Sequence, residues 1–339
     1  MQKIIISIRL IYKIIFILMF FIFISCRPNN NQTDISLLEI VRSGSYREIK
    51  RAIARGADVN ETNFFGSTPL MHSFLNRDNR VSKALIRAGA DVNAVDSQGW
   101  SPLFYAVEIR WDEIIDTLEL LVKSGADLEF RISTGQTPLA FAAEKNRNYR
   151  VLETLIYLGA NVDARNNIGI TPLFYAISNN TFRAVDMLIK SGADVNITNE
   201  YNQTPLIHAA GRRRETSNDV IISLLDAGAD VNAYDRYGLT PLIYALVEDY
   251  DFTIIQKLIE KGANINHLSD ATFTPLNLTP LMAIALFTDH RSSLILYLLE
   301  LGADPNIRNA EGKTVADYIR FNPSLRGTEA YIRLVSIPR

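Results

Sequence analysis

The chain has 339 residues, 47% hydrophobic and 21% charged, the balance of a folded protein, which excludes bulk disorder. Its 35 basic and 37 acidic residues give a formal net charge of −2, without the basic surplus that nucleic-acid binding requires. A single cysteine excludes an internal disulfide, and only four histidines are present to serve as metal ligands.

Residues 1–25 differ from all that follow. Lys3, Arg9 and Lys13 lead into an uncharged apolar run from Ile14 to Ile24. That run is short of the roughly 20 residues a membrane-spanning helix needs. It suits the apolar region of a signal peptide, with Ser25 as the small residue before the cut. Cys26, the only cysteine, comes next. Phe23-Ile24-Ser25-Cys26 resembles a bacterial lipobox, with phenylalanine where leucine is usual. The resemblance implies a lipidated Cys26 and a membrane-anchored lipoprotein of the bacterial cell envelope, facing the periplasm or the cell surface. The alternative is an uncleaved anchor over Ile4 to Ile24. Arg9 and Lys13 oppose it, at about 2.5–3.5 kcal/mol each near a bilayer centre. Residues 26–34 are polar and aperiodic and read as a flexible tether.

From residue 35 to 321 two phrases alternate. The first, Gly89-Ala90-Asp91-Val92-Asn93, returns with its glycine at Gly56, Gly125, Gly159, Gly192, Gly228, Gly262 and Gly302. The second is Thr/Ser-Pro-Leu, beginning at Thr68, Ser101, Thr137, Thr171, Thr204, Thr240 and Thr279. The Thr or Ser is placed to cap a helix whose first position is proline, which has no N–H to lose. The glycine closes a second helix in the left-handed conformation, and Asp and Asn beside it favour a tight turn. Each unit therefore reads as helix, turn, helix, hairpin, with apolar-periodic stretches such as Leu173–Ser178 and Phe182–Lys190.

The first pair, within 35–60, lacks the Thr-Pro-Leu opening and carries Leu37, Leu38, Val41, Ile49, Ala52 and Ile53 as its core candidates. In the third unit the second helix, around Trp111 to Lys123, is expected to run a few residues long. Arg212-Arg213-Arg214 extends a turn in the sixth unit, and residues 267–278 lengthen one finger. Residues 322–339 read as a C-terminal cap, with a last short helix over 328–334.

A period near 33 built on these two phrases resembles the ankyrin repeat. The resemblance implies an all-α solenoid of about eight repeats plus a C-terminal cap, binding a protein partner on its concave groove. Most repeats of the family carry histidine after Thr-Pro-Leu. Here Met71, Phe104, Ala140, Phe174, Ile207, Ile243 and Met282 stand there, so apolar packing is expected in place of a polar link. One residue further on, where the family faces its groove, the column reads His72, Tyr105, Phe141, Tyr175, His208, Tyr244 and Ala283. Phe64, Phe65, Trp100, Tyr201 and Tyr237 add rings at the finger tips. These rings are either a partner-binding strip or packing over small neighbours such as Ala106 and Ala176.

No cofactor, metal or nucleic acid is expected. His72 and His208 fall four units apart, and the recurring Asp residues are one to a unit, too sparse for paired acid–base chemistry. The reading is a membrane-anchored scaffold for protein–protein interaction. Its alternatives are a regulatory or inhibitory subunit of an envelope enzyme, and a host-directed effector.

Overall fold

The computed structural model describes residues 36–76, 78–145, 148–179, 182–212, 217–270, 277–288 and 291–337. The leader, Cys26, the tether, Arg213, Arg214 and residues 271–276 of the long finger lie outside them. Every regular element among the described residues is helical.

The first pair is α1 (Leu37–Ser43) and α2 (Tyr46–Ala54). Seven pairs follow: α3 (Pro69–Ser73) with α4 (Asn79–Arg87), α5 (Pro102–Val107) with α6 (Ile115–Lys123), and α7 (Pro138–Lys145) with α8 (Tyr149–Tyr157). Then come α9 (Pro172–Asn179) with α10 (Phe182–Lys190), α11 (Pro205–Ala210) with α12 (Ser217–Asp226), α13 (Pro241–Val247) with α14 (Phe252–Glu260), and α15 (Pro280–Phe287) with α16 (Ser292–Glu300). The last pair is α17 (Val315–Ile319) and α18 (Glu329–Val335), the latter capped by Thr328. None of these helices is long and apolar enough to cross a membrane.

Helices of five to ten residues are too short to persist alone in water, so stacking must stabilise them. Odd-numbered helices pack on odd and even on even, and one buried apolar cluster runs unbroken from Leu37 to Leu334. The residues after Thr-Pro-Leu, from Met71 to Met282, are each 2% exposed or less, so the missing histidine is replaced by packing. Thr68, Thr137, Thr204, Thr240 and Thr279 accept the N–H three residues on, as the caps require. The two hydroxyls that make no such bond, Ser101 and Thr171, precede Phe104 and Phe174 and are buried without a partner.

The expected long helix of the third unit is corrected by the structure. A single 3-10 turn, Asp112–Ile114, takes up the extra residues, and α6 itself has nine, like its neighbours. Register with α4 and α8 limits the helix length, and the surplus is absorbed before it starts.

An asparagine ladder joins the units. Asn60, Asn93, Asn196, Asn232 and Asn266 each donate Nδ2 to the closing glycine carbonyl of the next unit. Each also accepts, through Oδ1, the backbone N–H two residues beyond that glycine. The last Asn of Gly-Ala-Asp-Val-Asn thus satisfies a helix-end carbonyl that would otherwise lack a partner.

Candidate functional site

Six finger tips are each closed by one Asx side chain. Oδ1 of Asn63, Asp96, Asn166, Asn199, Asp235 and Asn309 accepts the N–H groups two and four residues further on. The remaining polar atom is free to reach the inner helix nine residues later. Tyr105 donates its hydroxyl to Asp96 at 2.5 Å, and Tyr244 donates to Asp235 at 2.7 Å. Asn166 and Asn309 instead donate Nδ2 to the hydroxyls of Tyr175 and Tyr318, each at 2.8 Å. Asp96 and Asp235 are almost fully buried. Burial first, and then the carboxylate bond, hold the Tyr105 and Tyr244 phenols well above the ordinary phenol range. The polar tips of these rings are therefore committed within the chain, and ring surface is what they offer outward.

The same logic fixes His72. Because Asn63 Oδ1 takes two backbone N–H groups, its Nδ2 faces the ring and must donate to Nε2, 3.2 Å away. The proton then sits on Nδ1, which is buried without a partner. Burial, followed by the charge of Arg42, lowers the His72 pKa below its usual value. With the folded value depressed, the unfolded chain binds the extra proton more readily. Stability at this site is complete above about pH 6.5 and is lost as the pH falls through the folded value. Acidification from about pH 7.5 to about 5.5 should therefore loosen α1 and α3, read by pH-corrected hydrogen exchange. Asn63→Asp should reverse the trend, since a carboxylate there favours the imidazolium; an unchanged pH response would refute the assignment.

The ring column is not continuous. Phe141 is only 5% exposed, and Ala283 is buried. Phe141 lies under Trp100, ring centroids 5.2 Å apart, and beside Phe104 at 5.6 Å. Tyr105 packs on the same Trp100 at 5.4 Å. Nine residues before Phe141 stands Ile132, which has no polar atom to lift the ring outward. Phe64 and Phe65 meet edge to face at the first finger, 87% and 42% exposed.

The rings that do converge lie in the fifth to seventh units. Ile168, Phe174, Tyr175, Tyr201, His208 and Tyr244 border an open cavity of about 550 Å3. α9, α11 and α13 supply its floor, and the finger tips carry Ile168 and Tyr201 on its rim, 42% and 40% exposed. Gly211, at the end of α11, makes room: a Cβ there would sit 3.3 Å from Tyr244. Arg236 lies over the rings of Tyr201 and Tyr237, 4.6 and 4.8 Å from their centroids, and so ties two of the expected tip rings together. The cavity has an apolar floor with a few polar atoms.

One juxtaposition had no sequence signal. Ser178 Oγ lies 2.6 Å from Nε2 of His208, 30 residues away, bonding α9 to α11 at the cavity wall. Among the described residues, no group of His, Cys, Asp or Glu is arranged to hold a metal ion.

The family model described as ankyrin repeats (3 copies) matches residues 37–131, 110–199, 139–235, 184–269 and 219–309. The chain is 35% identical over 148 residues to the mitochondrial disaggregase of Bos taurus, covering 42% of this chain and 21% of that protein. It is 39% identical over 59 residues to the mitochondrial disaggregase of Homo sapiens, covering 17% and 8%. It thus spans about a fifth or less of the curated relatives it matches. The crystal structure of the ankyrin repeat domain of Bcl-3, a unique member of the IkappaB protein family, superposes with a TM-score of 0.59 at 26% identity. That similarity covers 68% of this chain and all of that domain. This chain belongs to the ankyrin-repeat family, whose fold is a scaffold for protein–protein interaction.

Proposed function

We propose that this chain is a lipid-anchored ankyrin scaffold of the bacterial cell envelope that captures a protein partner in the groove of its fifth to seventh units. The observation that carries the binding site is the convergence of Tyr175, Tyr201, His208 and Tyr244 on one cavity whose rim presents Ile168 and Tyr201 to solvent. Tyrosine combines a large apolar face with low flexibility, which suits a protein interface. Support for the anchor comes from sequence: a basic leader, an apolar run and the lone cysteine in Phe23-Ile24-Ser25-Cys26. A diacylglycerol plus an amide-linked chain exceeds the one-chain threshold for stable anchoring.

The test begins with crosslinking in the native cell, using a photoreactive residue at position 168. A captured protein is then measured against Ile168→Ala/Tyr201→Ala, a change that leaves every inner-helix hydrogen bond in place. Loss of two rim contacts at the centre of an interface should weaken capture by about 30-fold or more, with an unchanged thermal melt. Phe64→Ala, at the first finger, should leave capture unchanged. Equal affinity of the rim variant would remove this groove as the site. In the same cells Cys26→Ala should abolish lipid attachment, seen as a loss of acyl mass at the N-terminus. A wild-type chain without that mass would remove the anchor.

A further inference from the structure

The first unit carries a basic surplus that the units between it and the C-terminal cap lack. Residues 37–55 contain five basic side chains and two acidic ones, whereas residues 56–312 contain 21 basic and 32 acidic. The C-terminal cap, residues 313–339, again has five basic and two acidic but lies at the end of the array away from Cys26. Four of those five cations belong to α2 and its end. Arg47, Lys50 and Arg51, spaced i, i+3 and i+4, share the face turned away from the buried Ile49, and Arg55 closes the helix. All four are exposed, and none forms an ion pair among the described residues. The carboxylate on the same helix, Glu48, is engaged elsewhere. Ser45 donates its N–H and its hydroxyl to Glu48 Oε2 at 2.6 and 2.8 Å, and the backbone bond is the main cause of a lowered Glu48 pKa.

We infer that the α2 stripe of Arg47, Lys50, Arg51 and Arg55 is a docking surface for anionic phospholipid headgroups, which orients the solenoid on the bilayer that holds it. The inference rests on the anchor at Cys26 proposed above. Nine residues separate Cys26 from Ser36, a reach over ten steps of at most about 36 Å, so the first unit is the one kept beside the membrane. Attraction to a negative leaflet fades within a Debye length of about 8–10 Å, which restricts it to groups that the tether keeps close. The stripe also lacks what a protein interface would use. No large apolar side chain of α1 or α2 is exposed, so there is no anchor for a desolvated hot spot. A headgroup layer requires only matched charge. The acidic surplus further along the array is repelled by the same leaflet, so the two parts favour one orientation, first unit towards the lipid and groove away from it.

The experiment uses the full processed protein isolated from its own membrane and reconstituted on two kinds of vesicle. One is phosphatidylcholine alone, the other includes about 30% phosphatidylglycerol. Hydrogen exchange is read over 46–54. The anionic vesicles should slow it about threefold or more relative to the neutral ones, and raised salt should erase the difference. Arg47→Glu/Lys50→Glu/Arg51→Glu should show no difference between vesicles. The corresponding triple glutamine variant, which keeps good helix formers at exposed positions, guards against a loss of folding in the first. Equal exchange on both vesicles in the wild type, or a contrast that survives in both variants, overturns the surface. Protection of α2 that appears only when a protein from the same membrane is added makes it a protein interface and likewise overturns it. The N-terminal mass is measured on the same sample. A chain without acyl mass refutes the anchor, while the vesicle contrast on that chain still decides the stripe, so the two failures are distinguishable.

Discussion

Tyr250→Ala is expected to cost about 3–5 kcal/mol, the range for deleting a fully buried aromatic ring. Tyr250 heads the set of large side chains that are wholly buried. It also joins three units. Its hydroxyl donates to the carbonyl of Ala209 at 2.8 Å, in α11 beside His208, and its own carbonyl accepts from Arg291 at 2.7 Å, just before α16. Arg291 pairs in turn with Asp249, which adopts a left-handed φ of 59°. Tyr250→Phe keeps the ring but removes one of two donors to the Ala209 carbonyl, which retains the Arg212 N–H, at about 0.5–1.5 kcal/mol. Urea unfolding of the three chains should rank wild type, phenylalanine and alanine in that order. Hydrogen exchange in the alanine variant should rise in the sixth to eighth units first, because each unit of a solenoid couples only to its neighbours. A small, uniform effect from end to end would mean that Tyr250 does not join these units. The groove wall at His208 is one residue from this contact, so partner capture should weaken along with stability.

Gly238→Ala is expected to be the costliest glycine change, and Gly192→Ala a mild one, although both glycines have left-handed backbones at φ 71° and 88°. The shared conformation accounts for about 1–2 kcal/mol in each. They differ in what a side chain would meet. Around Gly192 nothing lies within 4 Å, whereas a Cβ on Gly238 would fall 2.1 Å from the backbone nitrogen of Asp270 in the next finger. Backbone cannot rotate away, so overpacking adds about 1–3 kcal/mol and the total reaches about 3 kcal/mol or more. Gly238 also accepts from Nε2 of His267 through its carbonyl at 2.8 Å, a bond the displaced finger would lose. Equal unfolding midpoints for the two variants would mean that neighbouring fingers are free to separate. Only the larger effect on Gly238 fits fingers packed in fixed register.

The ring column serves stability and surface at once. Tyr244 alone is anchored to a buried carboxylate, borders the cavity and packs beside Gly211. Cutting such rings to alanine would remove a donor from Asp235 together with binding area, so a binding experiment is cleaner on Ile168 and Tyr201. Those two side chains owe their exposure to the finger tips, where the Asx bonds close the turn without using the tip side chains.

The amino-acid sequence by itself determined the period, the helix starts, the left-handed closures and the identity of the apolar faces. All of these are local. A cap spans three residues, a closing glycine answers to its own φ, and helical periodicity is written within four residues. What the sequence could not decide depends on neighbours 30 to 41 residues away. Tyr105 and Phe141 occupy the same column, yet one is half-buried and the other sealed, because Trp100 of the preceding unit lies over the second ring. Ser178 meets His208 only through the stacking of α9 on α11, and the Asn of each turn finds its second role only once the next glycine carbonyl is beside it. The fold was legible because every unit repeats the same local chemistry; the site was not, because it is made where non-identical units meet.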